Sequence, residues 1–193
     1  MKNLKSCIII FIILTFITGI VYPLFITAIG QIFFPWQANG SLIYRNNAVV
    51  GSTLIGQFFN KRSDLFWSRP SGTPDHPYNA TSSGGSNLGP TNPKLISKIE
   101  NRINFLKENK MDLPVPSDLV MGSASGLDPD ITPQAALAQI PRISKATNIP
   151  EETLKKLVIN NVEPREFGIL GAKRVNVLNL NLKLLELEKE YER

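Results

Sequence analysis

The chain has 193 residues but a single cysteine, Cys7, and a single histidine, His76. One thiol cannot close a disulfide within the chain. One imidazole, with no thiol outside an apolar segment, is a poor basis for a metal site or for a Ser-His or Cys-His nucleophile. Charge is also missing from a whole region: after Lys2 and Lys5, no Asp, Glu, Lys or Arg occurs before Arg45. That split excludes a plain cytosolic enzyme. The length excludes a polytopic transporter, because one hydrophobic segment and one domain of roughly 150 residues use up the chain. Lys and Arg outnumber Asp and Glu by 21 to 16, yet no block of five or six like charges occurs, so the net charge does not argue for nucleic acid.

What fills the uncharged region is the run Cys7 to Gly30, CIIIFIILTFITGIVYPLFITAIG. As a helix it would be roughly 36 Å long, enough to cross a hydrocarbon core of about 30 Å. Residues 7–30 are therefore read as one transmembrane helix. Pro23 lies inside it, where neighbouring helices or Thr hydroxyls must satisfy the freed carbonyl, and so hints at a packed neighbour. A cleaved signal peptide is the rival, but an apolar core of more than twenty residues exceeds the usual span of about 7–15. Lys2 and Lys5 before the span, with only Arg45 in the twenty residues after it, place residues 1–6 in the cytoplasm and 31–193 outside it. Phe33, Phe34, Trp36 and Tyr44 suit an aromatic anchor at the outer interface.

The remainder is expected to be α+β, without a βαβ repeat. Residues 47–59, rich in Val, Ile, Thr and Phe, read as strand with bulges at Gly51 and Gly56. Residues 68–93 lack an apolar period and read as a long loop, its small polar residues favouring an ordered docking segment. A helix begins at Pro93 behind Thr91 or Asn92 and ends near Asn109. Thr132-Pro133 opens another, to about Ala146, which Pro141 should kink. A helix at about 151–160 follows Pro150, and the tail passes from Val175 and Val177 into a Leu-rich amphipathic helix.

Three motif-like strings fail on chemistry. Gly84 to Thr91 has P-loop spacing, but Pro90 stands where the phosphate-binding Lys belongs. Gly122-Ser123-Ala124-Ser125-Gly126 imitates a nucleophile elbow with alanine at its centre. Residues 133–160 look like a helix-turn-helix, but the topology puts them away from DNA and Pro141 interrupts the first helix. Isolated carboxylates show no calcium-loop pattern. His76 reads as a surface residue and Asp128 as a turn or cap residue. No catalytic or metal-ligating set is assigned.

Other strings are more specific. Gly51-Ser52-x-Leu54-Ile55-Gly56-Gln57, Ser68-Arg69-Pro70-Ser71, Pro77-Tyr78-Asn79 and Ser83-Gly84-Gly85-Ser86-Asn87-Leu88-Gly89-Pro90-Thr91-Asn92-Pro93 come first in the chain. Asp118-Leu119-Val120, Ser123 to Pro129, Ile131 to Ala136, Gln139-Ile140-Pro141-Arg142 and Arg174-Val175-Asn176-Val177-Leu178 follow. In this order they closely resemble the C chain of the Kdp potassium-transporting P-type ATPase of bacteria, over nearly the whole sequence. The resemblance implies an accessory, non-catalytic subunit in the bacterial inner membrane. Its implied partners are membrane lipid, a channel-like potassium-translocating subunit and the P-type subunit that hydrolyses ATP. The D-K-T-G motif of the phosphorylated Asp is absent here, so this chain cannot form the aspartyl phosphate. The resemblance further implies an assembly role and a catalytic-chaperone role that raises the ATPase subunit's nucleotide affinity. No tightly bound cofactor is expected. ATP would be contacted together with the ATPase subunit, at Gln139. That last implication conflicts with the topology, which puts Gln139 on the side without ATP. Placing the domain outside favours instead a clamp on the channel-like subunit, with Ser83, Gly84, Gly85, Ser86, Asn87 and Gly89 as its docking loop. A membrane-anchored periplasmic enzyme is the alternative, and would need a catalytic pair that the residues do not supply.

Overall fold

The computed structural model describes residues 2–191; Met1, the Lys2 side chain and the last two positions of the expected 31–193 domain lie outside the described residues. The chain divides into two compact units, one ending at Ser52 and the other starting at Thr53. Its class is α+β, with one long apolar helix at the N-terminus.

In the first unit, α1 (Lys2–Phe16), a π-helical turn (Ile17–Val21) and α2 (Tyr22–Phe33) form one helical rod. The apolar stretch Asn3–Phe33 has 31 residues and none of its most apolar window is buried within the protein. At 1.5 Å per residue it is about 46 Å long, more than a bilayer core requires. Pro23 falls in the first turn of α2. The widened turn before it lets the Tyr22 amide reach back to the Ile17 carbonyl. Thr18 and Thr27 hydroxyls donate to the carbonyls of Leu14 and Pro23, each at 2.8 Å, so the hydroxyls expose no unpaired donor to lipid. After α3 (Pro35–Ala38), β1 (Leu42–Arg45) and β2 (Ala48–Ser52) form an antiparallel hairpin with a bulge between Ile43 and Tyr44. Asn46 and Asn47 sit at φ 50° and 60°, the turn geometry that matches strand twist and that asparagine tolerates. The expected strand 47–59 is thus shorter, and it ends where the second unit begins.

The second unit packs helices around a core that includes Phe66, Trp67, Leu106, Leu119, Ile143, Leu154, Val158, Leu180 and Leu184. α4 (Pro93–Glu108) starts as expected, with the Asn92 side chain accepting the Lys94 amide. The reading of one kinked helix from Pro133 is corrected. α5 (Pro133–Leu137) stops, and α6 (Ile140–Thr147) begins anew with Pro141 in its first turn, where a missing N–H costs nothing. Asn148, left-handed at φ 58°, ends α6 and leads into α7 (Glu151–Asn160). The two-residue strands β3 (Asp130–Ile131) and β4 (Val175–Asn176) pair antiparallel. α8 (Val177–Tyr191) follows at once, its start held by the Asn176 side chain accepting the Asn179 amide. In α6 and α7, Ile140, Ile143, Leu154 and Val158 are buried. The helix pair spends its apolar faces on the core, and α7 opens on Glu151 and Glu152, the wrong sign for a phosphate backbone.

Candidate docking site

The segment Leu65–Ser68 is buried but belongs to no helix or strand. Its backbone groups need partners, since each buried unpaired group costs about 1–3 kcal/mol. Side-chain amides supply them in the manner of a β-ladder. Asn181 accepts the Phe66 amide at 2.8 Å and donates to the Phe66 carbonyl at 2.9 Å. Gln139 does the same for Trp67, at 2.7 and 3.1 Å. The second Gln139 N–H goes to the Ala135 carbonyl at 3.2 Å, and Arg142 Nη2 donates to Gln139 Oε1 at 2.9 Å. Gln139 is wholly inaccessible to solvent, and both ends of its amide are occupied. It lies in the break between α5 and α6, which frees its side chain to turn inward.

Arg142 extends this clamp. Its guanidinium donates to the carbonyls of Ser63 and Leu65 and lies 3.8 Å from the centroid of the Trp67 ring. Burial pushes its pKa down to about 10. Arg102 on α4 covers the Phe105 ring at 4.9 Å, donates to the Leu119 carbonyl at 2.9 Å, and is likewise pushed to about 10 by burial.

Arg102 also lines an open groove of about 610 Å³. Leu88, Leu95, Ile99 and Phe105 contribute its apolar lining; Ser86, Asn87, Lys98 and Ser123 contribute polar groups. Its walls are loops far apart in sequence, joined at glycines. The Gly84 amide donates to the Ser125 carbonyl at 2.9 Å and the Ser83 hydroxyl to the same carbonyl at 3.1 Å. A side chain at Gly85 would start 2.9 Å from the Ala124 carbonyl oxygen. Gly126, at φ 68°, leaves only 2.8 Å between such a Cβ and the Gly84 carbonyl oxygen. Arg69 ties the opposite loop by an ion pair with Asp128 at 3.0 Å. Tyr78 locks the 69–79 loop through a 2.5 Å bond to the Arg69 carbonyl, and burial raises its phenol pKa to about 12.

The structure therefore splits the expected docking loop. Ser83, Gly84 and Gly85 are spent on holding the 122–126 loop. Ser86, Asn87 and Gly89 are exposed, with Leu88 half-buried in the groove wall. His76 is exposed, as a surface residue should be. Asp128 accepts the Asp130 amide at 3.0 Å, a turn contact, besides its ion pair, which no local string announces. Sequence reasoning missed Asn181 and the paired use of Gln139. Gln139, polar within the apolar run 135–140, was an available signal; Asn181, which alternates with Asn179 and Lys183, stood out in no such way. Among the described residues, no group of three or more His, Cys, Asp and Glu could hold a metal ion.

Residues 4–186 match the family model described as K+-transporting ATPase, c chain. A protein of Burkholderia orbicola named potassium-transporting ATPase KdpC subunit is 52% identical over 187 residues, which cover 95% of this chain and 96% of that one. Proteins of the same name from Polynucleobacter asymbioticus and Paraburkholderia phytofirmans are 47% and 51% identical, covering 95% and 97% of this chain and 98% and 99% of theirs. A small single-span, α+β subunit of an ion-transporting ATPase is the class that these matches and the long helix define. The chain belongs to the KdpC family of K+-transporting ATPase c chains.

Proposed function

We propose that this protein is the accessory subunit of a potassium-transporting P-type ATPase of the bacterial inner membrane, performing no phosphoryl chemistry itself. The observation that carries the reading is the match of nearly the whole chain, span included, to relatives named as subunits of such an ATPase. The helix anchors it in the membrane, N-terminus in the cytoplasm and residues 31–193 on the outer side. There the domain clamps a channel-like potassium-translocating subunit and supports assembly with the ATP-hydrolysing one. The groove beside Asn87 and Leu88 is the docking surface: it is apolar within, polar at the rim, and built on loops that glycine contacts make rigid.

A catalytic-chaperone role, raising the ATPase subunit's affinity for ATP, is part of the same proposal. A structural route for Gln139 is supported by its inaccessibility and four hydrogen bonds within the domain. Direct contact with nucleotide would require that amide to abandon Trp67. We therefore place the effect of Gln139 on ATP dependence in the shape of the domain rather than at a nucleotide.

Topology decides most of this. Cysteine introduced for Asn87, with Cys7 replaced by serine, should react with an impermeant thiol reagent in intact cells made permeable only at the outer membrane. Labelling confined to inverted vesicles overturns the outer placement. Affinity-tagged chain should recover the other subunits from detergent-solubilised membranes; recovery of the chain alone would defeat the subunit reading.

A further inference from the structure

The most exposed large apolar side chains of the second unit gather at one place outside the groove. Residues 163–174, EPREFGILGAKR, form a narrow ribbon with two antiparallel rungs, Glu163 with Arg174 and Glu166 with Leu170. At its tip Phe167 is 90% exposed, Ile169 76% and Leu170 60%. Among the described residues of the second unit nothing covers them, although a single domain of this size has ample core in which to bury three such residues.

The tip is also held stiff. The Gly168 amide donates to the Arg165 carbonyl at 3.0 Å, and the Ile169 and Leu170 amides both donate to the Glu166 carbonyl, at 3.2 and 2.9 Å. Phe167 lies at φ 52° and Gly168 at φ 77°. A left-handed backbone is costly for a bulky aromatic residue, and here it turns the ring outward. At the foot of the ribbon, Arg174 is anchored by Glu163 at 3.0 Å and Asp130 at 3.2 Å. Arg165, Glu166 and Lys173 flank the tip and make no ion pair among the described residues, which leaves the tip with two basic groups to one acidic.

We propose that this tip is a plug that seats in an apolar crevice on another polypeptide subunit of the same ATPase, a crevice rimmed by carboxylates that pair with Arg165 and Lys173. The inference rests on the subunit reading above. Three observations favour a protein crevice over a lipid surface. A fixed ring on a hydrogen-bonded turn is pre-organised for a shaped pocket, where a rigid anchor binds without paying ordering entropy. Lipid demands no such orientation. The ribbon also mixes Glu163 and Glu166 with Arg165, Lys173 and Arg174, far from the cluster of about 4–8 basic residues that anionic membranes attract. Finally, the tip has no Trp or Tyr, the residues enriched at membrane interfaces.

The test uses the full-length chain co-expressed with the other subunits. A benzophenone amino acid in place of Phe167, irradiated in native membranes, should yield an adduct whose mass spectrum contains peptides of another subunit of the ATPase. An adduct with phospholipid, an adduct with a second copy of this chain, or no adduct would overturn the proposal. In parallel, Phe167→Ser combined with Ile169→Ser should reduce recovery of the other subunits at least tenfold while leaving the chain's unfolding temperature unchanged. Arg165→Glu should reduce it less. Undiminished recovery with the double variant refutes the plug. If the unmutated chain recovers no other subunit, it is the subunit reading that fails.

Discussion

Residues 63–68 and residues 83–89 both lack helix and strand, yet they are held in opposite ways. The first is buried from Leu65 to Ser68 and tied by side chains reaching in from the α5–α6 break, α6 and α8: Gln139 and Asn181 each satisfy both backbone groups of one residue, and Arg142 takes two carbonyls. The second lies at the surface and is tied by the absence of side chains, with Gly85 pressed on Ala124 and Gly126 on Gly84. Order without secondary structure can come from polar side chains that complete a buried backbone, or from glycines that let two backbones touch. The first kind should fail globally when broken; the second should fail locally and spare the core.

The largest effect is expected at Gln139. Gln139→Leu keeps the volume roughly but orphans the Trp67 amide and carbonyl, and should cost about 3–5 kcal/mol by summing the penalty for unpaired buried groups. Denaturant unfolding of the purified chain measures it; a loss below about 1 kcal/mol would mean that the clamp is not what holds residues 63–68. Asn181→Leu should cost about 2–4 kcal/mol for the same reason at Phe66. Gly85→Val should cost about 1–3 kcal/mol, with increased proteolysis confined to the 83–91 and 122–126 loops. Cleavage spreading into α6 or α8 would erase the contrast between the two regions.

Smaller still is the acid response. The Asp64 carboxyl, at the edge of the clamped strip, is held below its usual range, chiefly by its hydrogen bond from Arg62. A depressed carboxylate contributes stability above its unfolded value, near pH 4, and loses that contribution as pH falls through the lowered folded value. Asp64→Asn should therefore flatten stability below about pH 4 and change little at neutrality, as thermal scans across pH would show. Asn87→Lys should leave unfolding unchanged and reduce recovery of the other subunits. A stability loss there would show that position 87 serves the fold rather than docking.

Much of the architecture was legible in the sequence. The uncharged run marked the long helix. Pro93, behind Thr91 or Asn92, and Thr132-Pro133 marked helix starts; the structure assigns the first cap to Asn92, and the Asn92 and Thr132 side chains both bond as caps do. Pro141 was legible as an interruption but not as a restart, because a proline is compatible both with a kink inside a helix and with the first turn of a new one. The β1 strand went unread because only the Asn46-Asn47 turn identifies its partner. Of the docking loop, small polar character was visible. Which residues face outward was not, since that is decided by residues 122–126, some forty positions away. The Phe167 tip drew no reading from the sequence, because only a backbone course could show it stranded in solvent.

The π-helical turn at Ile17–Val21 has one more consequence. A wide turn absorbs one extra residue, so positions after Val21 are offset by one from the 3.6-residue pattern that begins at Lys2. Deleting a single residue from this turn should give a straight α-helix and restore an unbroken phase. Because the turn already absorbs that residue, the deletion should leave Phe25 and Ile32 facing as they do relative to Phe11 and Leu14, whereas straightening the turn with every residue kept would swing them about 100° around the axis. A stripe of side chains along the rod is thus continuous in space only with a one-residue step in sequence at the turn, and the face that one neighbouring helix could grip must be read with that step.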